Sequence, residues 1–150
     1  MLTQICREIN NWFERDKLYG GFVVSDGALT YADGSAPPIL QDQYYRVRGS
    51  VFNDGVHKWG DQEDTLTDEP VFSGAVWVMA VPPDVVALAA EIGEWITTNA
   101  AVLSSPFQSE SKSPGSYSYS LKSGGSADGG SGGLSWQSQF AARLNAWRKI

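Results

Sequence analysis

Between Ser123 and Gly133 the chain reads Ser-Gly-Gly-Ser-Ala-Asp-Gly-Gly-Ser-Gly-Gly. No side chain in that tract can bury much apolar surface, and glycine alternating with serine behaves as a flexible linker. The tract sits inside a longer polar stretch, residues 104–134, that also holds Pro106, Pro114 and a run of serines. A connection of that length in a compact domain is either a functional arm or a linker. It divides the chain into a body at 1–103, a Ser/Gly-rich arm at 104–134 and a C-terminal helix at 135–150. Any core must come from the body and from whatever the last segment adds.

The body has the means to build one. Six Trp, six Tyr and six Phe among 150 residues give large burial per side chain. Ile5, Ile9, Trp12 and Phe13 recur at helical spacing, which predicts an amphipathic helix over Leu2–Asp16, ended by Gly20-Gly21. Phe22–Ser25 and Ala28–Tyr31 flank Asp26-Gly27, a pair that accepts the positive φ angles of a type I′ turn, so a β-hairpin is expected. Tyr44–Val51 and Val56–Trp59 read as two further strands around an Asn53-Asp54-Gly55 turn. Ala75–Val81 is apolar on both faces, a buried strand or a short core element. Pro82-Pro83-Asp84 opens a second helix, because proline is tolerated where the N–H has no partner and Asp84 suits the positive end of the helix. Its buried stripe is Val85, Leu88, Ile92, Trp95 and Ile96, and it should end near Ala101. Gly93 weakens it by about 1 kcal/mol relative to alanine, which close packing against a neighbour would explain. A last helix is expected from about Ser135 to Arg148, with Trp136, Phe140, Leu144 and Trp147 on one face. The fold class is α+β: a small helical core, a β-rich insertion at about 22–81, and an extended C-terminal arm ending in a helix.

Little in the sequence points to covalent chemistry. The formal charge of −6 and pI near 4.6 argue against electrostatic binding of nucleic acid. Cys6 is the only cysteine, so no disulfide within the chain is possible, and it reads as a small hydrophobe on the first helix. His57 is the only histidine. It has no evident nucleophile and acid beside it and reads as an exposed strand residue. Cys6 and His57 do not make a structural zinc site, which takes four ligands. Asp61, Glu63, Asp64, Asp68 and Glu69 lack calcium-loop spacing and read as a solvated acidic loop. Ser109-Glu110-Ser111-Lys112 matches a serine-acylase pattern by chance, since the supporting elements are missing. No leader peptide or membrane-spanning run is recognisable. The expectation is a non-enzymatic protein without cofactor or metal, made in a cytoplasm.

The order of elements carries one resemblance. The proline-led helix from Pro83 is followed by Ser109-Glu110-Ser111, then Gly115-Ser116-Tyr117-Ser118-Tyr119, and the chain closes on Leu144-Asn145-Ala146-Trp147-Arg148. In these features it resembles the head–tail connector (adaptor) proteins of long-tailed bacteriophages and prophages. Ser116 stands where Asp is usual, Trp147 replaces a Tyr, and the 22–81 region looks like an insertion in what is usually a helical protein. The resemblance implies a homo-oligomeric ring, usually dodecameric, at the head–tail interface of a virion. Such a ring sits below the portal protein, adjoins the next neck or tail protein, and extends a channel through which DNA passes without specific binding. Trp136, Phe140, Leu144 and Trp147 would then anchor the last helix on the portal or a neighbouring subunit. Arg143, Arg148 and Lys149 would meet acidic groups there, and Tyr117 and Tyr119 would pack the arm along the next subunit. Two alternatives stand beside it: another neck or tail-completion ring, and a glycan-binding β module using Tyr44, Tyr45 and Trp59.

Overall fold

The computed structural model describes residues 1–103, 107–113, 116–121 and 134–150, with 107–113 and 116–121 described by backbone alone. Helix α1 runs over Leu2–Glu8, shorter than the apolar spacing predicts. The chain leaves the helix through positive φ angles at Asn10 (50°) and Phe13 (48°). The Asn11 side chain fixes this exit: its Oδ1 accepts from the Phe13 N–H at 3.1 Å and its Nδ2 donates to the Trp147 carbonyl at 3.0 Å. Ile5 and Ile9 face the core as expected, but Trp12 and Phe13 lie beyond the helix.

The sheet therefore begins at Glu14 rather than Phe22. Strand β1 (Glu14–Ser25) turns through Asp26 (φ 52°) and Gly27 (φ 74°) into β2 (Ala28–Tyr31), the expected hairpin. Strands β3 (Tyr44–Arg48), β4 (Gly55–Lys58) and β5 (Glu69–Met79) complete an antiparallel sheet in the order β2-β1-β5-β3-β4. Gly20 and Gly21, expected to end a helix, sit inside β1 opposite Gly74 and Ser73 of β5. Alternate residues along each strand face the same side of a sheet. Here Phe22, Val24, Leu29, Tyr45, Val47, Val76 and Val78 form one buried cluster with Ile39 and Leu66 from the loops.

The helices build a second cluster. Helix α2 (Pro83–Thr98) begins as predicted, with Pro82 extended at its N-cap and Asp84 in its first turn. It stops at Asn99, whose side chain caps the Trp95 carbonyl at 2.8 Å, before the short α3 (Ala100–Leu103). A Cβ placed on Gly93 would meet no atom within 4 Å, so close packing does not account for that glycine. Ile5, Ile9, Val85, Leu88, Ala89 and Ile92 pack together and are closed over by Phe140 and Leu144.

The C-terminal helix is two short pieces. Ser135 caps α4 (Trp136–Gln139), Phe140 breaks the run at φ −106°, ψ 12°, and α5 (Ala141–Asn145) follows. The serine-rich segment, whose sequence gives no apolar alternation and predicts an irregular arm, is regular in part: β6 (Phe107–Ser113) and β7 (Ser116–Leu121) pair antiparallel as a sheet of their own. The Gly/Ser tract at 123–133 lies outside the described residues.

Candidate functional site

The C-terminal anchors are turned inward. Phe140 and Leu144 are 7% and 2% exposed, buried against α1 and α2. Trp95 meets Phe140 edge-on with centroids 6.1 Å apart, and Phe13 meets Trp147 edge-on at 6.2 Å. The cations are also engaged within the chain: Arg143 with Glu91 at 2.7 Å, Arg148 with Glu8 at 3.2 Å, Lys149 with Glu14 at 3.3 Å. A backbone bond from Lys149 N–H to the Ile9 carbonyl at 3.0 Å ties the segment after α5 to the end of α1. Of the residues expected to meet a partner, Phe140 and Leu144 are buried within the chain, Trp136 and Trp147 pack partly buried against the same cluster, and Arg143, Arg148 and Lys149 stay exposed while pairing with acids of this chain. An apolar helical stripe satisfies itself on the nearest complementary surface, and α1 and α2 offer one. Tyr117 and Tyr119 lie in β7, in register with Lys112 and Glu110 of β6.

The sheet face opposite the core carries a stack of cations and indoles. Lys17, Trp77 and Arg46 are direct neighbours across β1, β5 and β3. The Arg46 guanidinium lies 3.4 Å from the Trp12 ring centroid and 4.9 Å from that of Trp77; Lys17 and Arg48 also cap Trp77, at 4.6 and 4.9 Å. Cation–π attraction of this kind is worth about 0.5–2 kcal/mol per pair, more when desolvated. Burial and the neighbouring Arg48 push the Arg46 pKa down, with Asp54 working the other way. Among the described residues Arg46 Nε and Trp77 Nε1 are buried without a hydrogen-bond partner, and the guanidinium lies against the two rings. The position of Trp12 here explains why it left the first helix.

At one end of this sheet a polar network holds the loop 49–54. Glu69 is buried and accepts from the Ser50 hydroxyl, from the Val51 N–H at 2.9 Å and from Asn53 Nδ2 at 3.2 Å. Desolvation raises the Glu69 pKa, but these bonds outweigh it and hold the carboxyl below its usual range. Asn53 also exchanges bonds with the Thr67 backbone at 2.7 and 2.8 Å. Glu69 therefore belongs to a structural clamp and not to a solvated acidic loop.

His57 is likewise built in rather than free. Its Nδ1 lies 2.9 Å from Asp64 Oδ1 and its Nε2 lies 2.8 Å from the Asn53 carbonyl, while Asp64 Oδ2 accepts from the Lys58 N–H at 2.7 Å. The expected exposed histidine thus staples β4 to the following loop. Cys6 is buried, and desolvation pushes its thiol up to about 11, where it remains a neutral hydrophobe. Among the described residues no cluster of three or more His, Cys, Asp or Glu is placed to hold a metal ion. Nor is any helix among them long and apolar enough to cross a membrane. Tyr45 is buried in the sheet core, which removes it from any sugar-stacking surface. No protein-family model, curated protein or solved structure matches this chain.

Two further features carry no signal in the sequence. Val51 and Phe52 stand exposed on the clamped loop, and Leu40 stands exposed beside a groove at the opposite end of β3 and β5. Large apolar side chains fixed in the open are the residues that sequence patterning assigns to a core, so their exposure is visible only in three dimensions.

Proposed function

We propose that this chain is a structural component of a phage neck. Copies of it form a ring between the portal vertex of the head and the tail, and the ring continues the DNA channel without binding DNA specifically. The site of action is the head–tail interface of the virion, and the partners are the portal protein, neighbouring copies and the next neck or tail protein. In this reading the 22–81 region is an insertion on a helical connector core, and the arm reaches the neighbouring subunit.

The observation that carries the reading is the segment 107–121. The Ser109-Glu110-Ser111 and Tyr117-Ser118-Tyr119 motifs of the resemblance fall on the two strands of one hairpin, and that hairpin forms a sheet apart from the main one. A lone two-stranded hairpin is marginal in water. Strand addition or packing on a neighbour would complete it. The internal use of Phe140 and Leu144 moves the assembly role from the last helix to this hairpin.

The test is capture by purified portal rings, with tail-tube protein as the parallel arm. Wild-type chain should be retained by portal rings. A chain whose residues 107–121 are replaced by a short Gly-Ser linker should melt like wild type and lose retention. Undiminished retention of that variant would remove the hairpin from the reading. Capture by tail-tube protein alone would place the chain in a different neck or tail-completion ring. Capture by neither would end the neck reading.

A further inference from the structure

Two apolar features lie at opposite ends of the β3–β5 ladder, and each is held in place before any partner arrives. The first is a knob. Val51 and Phe52 are 80% and 63% exposed at the tip of the loop that follows β3. Gly49 (φ 89°) starts that loop, where a Cβ would lie 2.9 Å from the Ser73 carbonyl oxygen. The Glu69–Ser50–Asn53 network fixes the rest of it. A buried carboxylate with its hydrogen bonds satisfied makes the tip rigid, so little conformational freedom is left to lose on binding.

The second is a groove of about 510 Å³ where β3 starts and β5 ends, lined by Leu40, Tyr44, Met79, Val81, Pro83 and Val86. It too is pinned: Gln43 accepts from the Leu40 N–H at 3.0 Å and donates to the Met79 carbonyl at 3.2 Å. Leu40 is 69% exposed on its wall. One pair of flanking charges is complementary: Asp54 is exposed beside the knob, and Lys58 lines the groove next to Asp42, with which it makes a loose 3.6 Å pair that an incoming carboxylate can share.

We infer that the knob of one copy seats in the groove of the next, giving a head-to-tail contact between copies of this chain. The occupant of the groove is thus Val51–Phe52 of a second copy, with Asp54 meeting Lys58 at the rim. The strand β5 runs from the knob's clamp at Glu69 to the groove at Met79, roughly 30 Å of extended chain. Knob and groove are therefore different surfaces at opposite poles. A heterologous contact of this kind leaves one knob and one groove unfilled at each step, so it propagates until it closes as a ring or runs on as a filament. The inference rests on the ring reading above and supplies its subunit contact.

Phe52→Asp and Leu40→Asp test it on the full chain, because both side chains are exposed and neither supports the core. Light scattering and sedimentation velocity of wild type should show concentration-dependent species larger than a dimer. Each variant alone should self-associate about thirty-fold more weakly or worse, the loss expected of a central anchor, with an unchanged melting curve. Mixing the two should restore one interface: the intact groove of Phe52→Asp takes the intact knob of Leu40→Asp, giving a 1:1 complex that grows no further. Assembly of both variants as in wild type would overturn the contact, and so would a wild-type chain that stays monomeric. Portal capture separates the two ideas. A monomeric chain retained by portal rings loses this contact and keeps the neck reading; a self-assembling chain that portals ignore does the reverse.

Discussion

The chain builds two apolar clusters in different ways. The sheet cluster, from Leu18 to Val78, comes from one continuous stretch: local turns join β1 to β2 and β3 to β4, and the distant pairing of β1 with β5 unites them. The helical cluster joins α1 to α2 and is closed by Phe140 and Leu144 from the other end of the chain. The first can form as soon as its own residues exist. The second depends on contacts of the highest sequence separation in the molecule, which carry the larger loop-closure entropy. The comparison teaches that the last seventeen residues, 134–150, are part of the body's architecture, although a long polar segment separates them from it.

Removing residues 134–150 is the most severe way to break that comparison. Loss of Phe140 and Leu144 together should cost more than about 5 kcal/mol, given ~2–5 for a buried Leu and ~3–5 for a buried Phe truncated to alanine. Hydrogen exchange should then show α1 and α2 unprotected while β1 and β5 amides stay slow. If β1 and β5 lose protection equally, the two clusters are one cooperative unit and the distinction between them fails.

A milder change strikes the other side. Glu69→Gln leaves the shape of the loop clamp but removes its charge, and should lower the melting temperature at neutral pH with little effect on the helices. The Glu69 carboxyl is held below the usual value of 4.5. Its contribution is therefore complete above that pH and disappears as pH falls through the lower, folded-state value. The gap between wild type and Glu69→Gln should be widest at neutral pH and narrow as a urea-denaturation series is carried from pH 5 downward. A constant gap across that series would show that the carboxylate charge is not what holds the loop.

The smallest effect has the opposite sign. Gly93→Ala should stabilise the helical cluster by about 0.5–1 kcal/mol, because the space beside Gly93 is open and alanine narrows the unfolded ensemble. A loss of stability in urea denaturation would mean that α2 needs that glycine for a reason beyond its packing.

Local chemistry made some elements readable and left others hidden. Asp26-Gly27 announced its hairpin because a type I′ turn needs positive φ at adjacent residues, and Pro82-Pro83-Asp84 announced α2 through the geometry of a helix start. Trp12 and Phe13 misled because they keep helical spacing with Ile5 and Ile9 while their true partners, Arg46 and Trp147, are distant in sequence. Glu14–Tyr19 gave no strand pattern of its own; its pairing with β5 makes it one. The stripe of Trp136, Phe140, Leu144 and Trp147 was correctly read as apolar on one face. Periodicity says that such a face must be covered, and is silent on whether the cover is the same chain or another. The knob and groove lay beyond sequence reasoning for a related reason: exposure is a property of what fails to pack.

The bond from Lys149 to Ile9, with Asn11 holding the Trp147 carbonyl, has a consequence for how the protein is made. During synthesis the sheet can fold early, as N-terminal regions do. The two helices must wait with their greasy sides open until Phe140 and Leu144 have been delivered. A chain interrupted before them would display that surface to chaperones and proteases, so closure of the helical cluster is a late event in the making of this protein.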